Sequence, residues 1–398
     1  MKQSTGRILT THVGSLARPD DLLQMLRTKA AGGSVDEAAF AARVKAAVTD
    51  VVRRQADAAI DVITDGEQSK PGFQWYITDR LSGFETRAGG EAPGSWAGTR
   101  ERLSFPEYYD DQQQVQGVPL NPAVTITCTG PITYQGHAAV QADIANLKHA
   151  LSQVEGAALQ GVPHVEAFLP SISVNNVEGQ RRNEYYKTDD EFLQAIADAM
   201  REEYRAIVDA GIVLQVDDPR FSTMYNNAPD MSLTEVRAWM QRRAEVVNYA
   251  LKGIPPEMVR FHTCYSIDMG PRIHDMPLKD LVDIMLTIDA GAYSFEASNP
   301  RHEHEYHVWE DVKLPAGKVL IPGVISHTTN LVEHPDLVAE RIVRYANVVG
   351  RENVIAGADC GFAATARTRQ DIHPTVAWEK LRSLAEGAAI ASKQLWRG

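Results

Sequence analysis

The sequence predicts a single α/β domain over residues 1–398, a (β/α)8 (TIM) barrel, on three observations. Short apolar runs alternate with helix-period segments along most of the chain. Reactive side chains collect at the C-terminal ends of those runs, where a barrel builds its active site. Neither a GxGxxG after a strand nor a GxxxxGK[ST] loop is present, which leaves dinucleotide and P-loop folds unsupported.

The runs are residues 8–15, 60–67, 124–131, 164–171, 212–219, 259–266, 292–299, 318–327 and 354–361. Each is short and rich in β-branched or aromatic residues, as buried strands are. Nine runs is one more than the barrel needs, so one is expected to lie outside it. Between them, Ser34 and Glu37 read as a capping box before a helix with Phe40, Val44, Val48 and Val52 on one face. Thr188 and Glu191 open a second helix, with Phe192, Ile196, Met200 and Val208 on its buried stripe and Gly211 ending it. Ser232 and Glu235 open a third. Residues 85–122 break the alternation. That stretch is polar, Gly-containing and carries Trp96, Tyr108 and Tyr109, so it is expected to be an inserted loop or small subdomain that acts as a lid or as a homo-oligomer contact.

Composition narrows the function. The chain has 398 residues, 40 Lys and Arg against 52 Asp and Glu, and a net charge of −12. An acidic chain with scattered lysines is a poor nucleic-acid binder. No apolar run is long enough for a membrane span, and the first residues lack the layout of a signal peptide. Three cysteines make no disulfide framework, so a reducing cytoplasm is expected. The partners left are small molecules.

The most informative segment runs from Arg260 to Tyr265. On a strand, His262 and Cys264 point the same way, into the barrel mouth. Cys360 ends the last run and Glu296 ends a run between them. One imidazole, two thiolates and a carboxylate make a good Zn2+ shell. Spacing alone leaves a bland alternative, since buried free cysteines are common and inert. Cys128, in the middle of its run, is expected to be core.

With these residues in hand, the chain resembles the cobalamin-independent methionine synthase family, in its catalytic C-terminal barrel. Thr10-Thr-His-Val-Gly-Ser15 resembles the family's TTxxGS opening, Val62-Ile-Thr-Asp-Gly-Glu67 its VxxxGE segment, and Gln215-Val-Asp-Asp-Pro219 its QIDEP segment. Phe261-His-Thr-Cys-Tyr265 resembles its HxCY, Ser294-Phe-Glu296 its IxIE, Gly323-Val-Ile-Ser-His327 its GV-xx-H and Ala358-Asp-Cys-Gly361 its PDCG. The resemblance implies a zinc-dependent S-methyltransferase of methionine biosynthesis, acting through a zinc-bound thiolate. It implies His262, Cys264, Glu296 and Cys360 as zinc ligands. It also implies Glu67 and Asp217 at the ammonium group of homocysteine, Ser15 at its carboxylate, and His327 as proton donor to the leaving group. The small-molecule partners would be a thiol and an alkyl donor.

The sequence departs from the family pattern in places. No counterpart of the N-terminal half of full-length members is expected, with the opening serine at position 15. The tryptophan that packs on the pterin has no counterpart in residues 167–174, and the interval from Cys264 to Glu296 is lengthened around Met269-Gly-Pro271. The related epoxyalkane:coenzyme M transferases offer an alternative, epoxide opening by a sulfonate thiol. Glu67 and Asp217 favour an amino-acid thiol. Arg18, Lys70 and Arg220 lie near the motifs and keep the sulfonate-thiol reading open, although each alone reads as solvated charge. The histidine-rich stretch 299–307 reads as a solvated loop rather than a second metal site.

Overall fold

A computed structural model of the chain describes residues 1–89, 98–116, 124–155, 166–266, 270–363 and 372–397. In chain order the strands are β1 (Leu9–Thr10), β2 (Val62–Ile63), β3 (Phe84–Ala88), β4 (Val124–Cys128), β5 (Glu166–Ile172), β6 (Arg181–Asn183), β7 (Val213–Asp217), β8 (Val259–His262), β9 (Ala292–Phe295), β10 (Val319–Ile325) and β11 (Ile355–Ala358).

Eight of them form one parallel sheet in the order β1-β11-β10-β9-β8-β7-β5-β2. Its two ends meet. β1 pairs with β11 through Leu9 and Ile355, and Thr11, one residue past β1, bridges in parallel to Val62 of β2. The sheet is therefore a closed barrel, as the sequence predicts.

The ninth run is 124–131. Its strand, β4, sits in a separate three-stranded sheet, antiparallel to β3 and parallel to β6. Cys128 lies there, buried, with its Sγ 3.3 Å from the carbonyl of Gly130.

The interior and exterior of the barrel follow from strand alternation. Leu9, Ala292, Val319, Ile321 and Ile355 form one small apolar cluster, and Val62, Phe168 and Val213 another. These are the inward positions. Leu214, Val216, Val259 and Phe261 belong instead to the large cluster beneath the surrounding helices. By the same parity Gln215, Asp217, Arg260 and His262 point inward. Arg260, fully buried, spans the interior: its Nη1 donates to Thr11 Oγ1 and its Nη2 to the His12 carbonyl, both at 3.0 Å. Its guanidinium lies 4.0 Å from the centre of the Phe168 ring.

Helix starts largely follow the sequence. Ser232 and Glu235 form the capping box before Leu233–Leu251. Thr188 caps Asp189–Asp209, and Gly211 takes the left-handed backbone just beyond it. The helix Glu37–Asp57 is capped by Asp36 rather than Ser34, because the Asp36 carboxylate accepts from the Ala38 and Ala39 amides. Among the described residues no helix is long and apolar enough to cross a membrane.

Of residues 85–122, positions 90–97 and 117–122 lie outside the described residues, Trp96 among them. The rest does more than loop. The short helix Arg100–Ser104 is wedged at the barrel mouth. The Arg100 guanidinium donates to the carbonyls of Tyr225, Ala228 and Met231, beyond β7. Glu101 accepts from the His274 amide, and Ser104 Oγ meets the His274 ring at 2.7 Å, beyond β8.

Gly323 of β10 lets the end of β11 approach. A Cβ there would stand 2.1 Å from Asp359 Oδ1 and 2.7 Å from the Asp359 backbone. Gly323→Ala is expected to cost about 1–3 kcal/mol, the usual range for overpacking, in chemical denaturation.

Candidate metal centre

The ends of β8 and β11 bring two sulfurs together. Cys264 Sγ and Cys360 Sγ lie 3.0 Å apart, and His262 completes a buried trio whose ligand atoms all fall within 4.8 Å of one another. Cys264 has the same parity as His262, as an i, i+2 pair on an extended segment should. His262 Nδ1 lies 3.3 Å from Ser294 Oγ, which orients the ring. Its Nε2 is buried and has no hydrogen-bond partner. Burial holds the imidazole neutral, with its pKa down to about 3. The Cys264 thiol is pushed well up by its hydrogen bond with Cys360, by burial and by the neighbouring Cys360 and Glu296 charges. An imidazole with an unpartnered ring nitrogen and two adjoining thiols is a donor set that fits Zn2+.

Glu296 does not belong to that trio. One of its oxygens falls in a second buried group with His327 and Asp359, and both accept hydrogen bonds. The Tyr265 amide donates to Oε1 at 2.7 Å, while Arg272 Nη2 and Asn299 Nδ2 each donate to Oε2 at 2.8 Å. Asp359, beside Cys360, accepts from the Ala297 and Ser298 amides and from Ser298 Oγ. His327 faces the Ser266 carbonyl through Nε2 at 3.1 Å, and its Nδ1 is buried without a partner. Burial lowers its pKa to about 4, against the pull of the nearby Asp359 charge.

A second set of side chains lies alongside. Asp217 is the register partner of His262 across β7 and β8. Ser15 is packed against the end of β11: the Phe362 amide donates to the Ser15 carbonyl at 3.1 Å, and a Cβ on Gly361 would meet Ser15 Oγ at 2.1 Å. Glu67 takes a left-handed backbone, φ 57°, after Gly66. Its carbonyl accepts from Arg18 Nη2 at 2.8 Å and its amide donates to Asp65 Oδ1 at 3.0 Å, which hold that conformation. Glu67 Oε2 lies 3.9 Å from Arg18, too far for a hydrogen bond, and accepts none. Burial raises both carboxyls, Asp217 well above its ordinary value, and the Glu67 charge pushes Asp217 further.

Several sequence readings change. Arg18 and Lys70 are not solvated charge: both are buried, and Lys70 donates to the Pro170 carbonyl at 2.5 Å beneath the Glu67 loop. Arg220 is half-buried against Glu178 and Trp239. The stretch 299–307 is not simply solvated either. His302 is buried between Asp275, at 3.0 Å, and Glu305, at 2.7 Å, with its ring stacked on Tyr265. It joins no His, Cys or carboxylate metal group among the described residues. Arg272, Asn299 and Gln215 were missed. Gln215 donates to Asp217 Oδ1 at 2.7 Å and orients that carboxylate, and its place two residues earlier on the same strand was the available clue.

Comparison with known proteins agrees with this architecture. The methionine synthase of Thermococcus kodakarensis is 23% identical over 397 residues, covering 98% of this chain and 94% of that protein. The methionine synthase of Saccharolobus solfataricus is 24% identical, covering 98% and 96%. In structure, the chain is similar to a B12-independent methionine synthase from Shewanella sp. W3-18-1 in complex with selenomethionine, with a TM-score of 0.67, 17% identity and coverage of 98% and 99%. That likeness concerns the fold. Residues 179–381, about half of the chain, match the family described as cobalamin-independent synthase, catalytic domain, and they contain His262, Cys264, Asp217, Glu296, His327 and Cys360. The chain therefore belongs to the cobalamin-independent synthase catalytic-domain family.

Proposed function

We propose that the chain is a zinc-dependent thiol alkyltransferase that methylates homocysteine or a similar amino-acid thiol. The observation that carries this reading is the juxtaposition of two half-sites at one barrel mouth. One is the trio of His262, Cys264 and Cys360. The other is the carboxylate pair of Glu67 and Asp217, one register step away. The names of the curated relatives support the same chemistry.

Bound at the trio, Zn2+ would supply the Lewis acidity that keeps a thiol, ordinarily near pKa ~8.5, ionised at neutral pH. The chain's own residues do the rest. Glu67 and Asp217 receive the substrate ammonium, which satisfies the unpaired Glu67 Oε2 and removes the like-charge strain between the two acids. Ser15 Oγ, held against the end of β11, receives the substrate carboxylate. The sulfur then attacks the donor methyl carbon, the bond from that carbon to its leaving atom breaks, and the leaving atom takes a proton. His327 delivers that proton. Neutral at pH 7, it takes up on its unpartnered Nδ1 the proton that the ionising substrate thiol gives off and passes it to the leaving atom, with the Asp359 charge favouring the transient imidazolium.

Three outcomes test the proposal. Elemental analysis is expected to find about one zinc per chain, with a large loss in Cys360→Ser. Each thiol, homocysteine or coenzyme M, incubated with methyl donors and with epoxides, separates the readings by mass spectrometry. S-Methylated amino acid is the expected product, and a coenzyme M–epoxide adduct would point to the alternative.

Asp217→Asn is expected to weaken binding of the amino-acid thiol by about 2–5 kcal/mol in calorimetry. The same variant should raise thermal stability near pH 7.5. The folded-state carboxyl is raised above its ordinary value, so ionising it penalises the folded protein at neutral pH. Removing the charge relieves that penalty. The gain should fade as pH falls toward the unfolded carboxyl range, where wild-type Asp217 is protonated in both states.

A further inference from the structure

We propose that His12, at a position the TTxxGS motif leaves open, is a positioning residue. With Gln55 it ties the loop that carries Ser15 to the loop that carries Glu67, and so sets the gap that receives the amino-acid end of the substrate thiol. This rests on the amino-acid pocket proposed above and deepens it.

The His12 ring is engaged at both nitrogens. The Gly14 amide donates to Nδ1 at 3.2 Å, so the ring proton sits on Nε2, which faces Gln55 Oε1 at 2.9 Å. Burial holds the imidazole neutral, with its pKa down to about 4. Gln55, on the helix Glu37–Asp57, is itself saturated. Its Nε2 donates to the carbonyls of Val51, at 3.0 Å, and Thr64, at 2.7 Å, and its Oε1 also accepts from the Thr64 amide at 3.0 Å. One glutamine thus clasps both backbone groups of Thr64, the residue that follows β2. His12 and Gln55 are both buried, so water offers these groups no replacement partner. The ring also packs edge-on against Phe168 in the barrel interior, with centroids 6.2 Å apart.

Each end of this tie reaches the pocket. Thr64 Oγ1 donates to Asp65 Oδ1 at 3.2 Å, and the Glu67 amide donates to the same oxygen at 3.0 Å. At the other end, Gly14 stands beside Glu67 itself. A Cβ on Gly14 would lie 3.8 Å from Glu67 Oε1 and 2.9 Å from Pro170 Cγ. The next residue is Ser15. Farther from the strand ends, the Leu16 amide donates to the Gly66 carbonyl at 3.2 Å and Gln68 Nε2 to the Leu16 carbonyl at 3.1 Å. Two separated attachments fix the angle between the loops as well as their distance, whereas the outer one alone would act as a hinge. A rigid gap favours an α-amino acid, whose ammonium and carboxylate stand a fixed distance apart, over a thiol that has neither.

Calorimetry on the zinc-loaded full-length chain tests this with two thiols, homocysteine and 2-mercaptoethanol, the second having no amino-acid end. In His12→Asn the shorter side chain can still accept from the Gly14 amide but cannot reach Gln55. It is expected to weaken homocysteine binding by about 10-fold or more and 2-mercaptoethanol binding by less than about 3-fold, with zinc content unchanged. His12→Gln keeps the reach to Gln55 and loses the bond to Gly14. It is expected to show the same selective loss, and it decides the matter if His12→Asn does not fold. Equal losses for both thiols, or unchanged homocysteine binding, would overturn the proposal. A wild-type chain that shows no preference for homocysteine would instead remove the amino-acid pocket, and this inference with it.

Discussion

Two sulfur atoms 3.0 Å apart are the constraint around which the rest of the site is arranged. Their strands, β8 and β11, are three steps apart in the sheet. In a flat sheet, with neighbouring strands ~4.8 Å apart, three steps would separate them by about 14 Å. Closure brings their ends face to face over the mouth. Closure in turn depends on two residues of β1 pairing with β11 and on the Thr11–Val62 bridge on the other side. Arg260 reinforces that seam by tying β8 to the residues just after β1. The trio of His262, Cys264 and Cys360 is thus a consequence of topology, with Gly323 and Gly361 providing the close approaches that topology demands.

Buried carboxylates in this protein fall into two kinds, and the difference is informative. Glu203 is as buried as any, yet its acidity is strengthened. Burial is outweighed by the Arg80 and Lys70 charges and by hydrogen bonds from Tyr134 and Tyr76. Ser171 and Arg80 complete its partners. It closes a network that braces the back of β5. Asp217 and Glu67 are equally buried and are pushed the other way, with an oxygen of Glu67 left empty. A satisfied carboxylate stabilises a fold, whereas a buried carboxylate with an unpartnered oxygen is a candidate place for a cation.

Much of this was legible in the chain. The i, i+2 pair of His262 and Cys264 and the location of Cys360 at a strand end follow from alternation and from where each run stops. What sequence could not supply were contacts fixed by three-dimensional closure. The run containing Cys128 has the same β-branched character as a barrel strand, because a side sheet buries its strands just as deeply. Arg18 and Lys70 look like loop charges until the loops after β1, β2 and β11 fold over them. Ser34 satisfies the pattern of a cap, but Asp36 is closer to the first free amides and wins.

Glu296 illustrates the limit most sharply. Its place at the end of β9 makes it a fourth ligand by analogy, and it does arrive beside the trio. Its hydrogen-bond partners come in part from an arginine 24 residues earlier in the chain, held in a left-handed turn and buttressed by Asp275, His302 and Glu305. None of these residues belongs to a motif. A motif fixes where a side chain stands; the charges packed around it fix what it is free to bind.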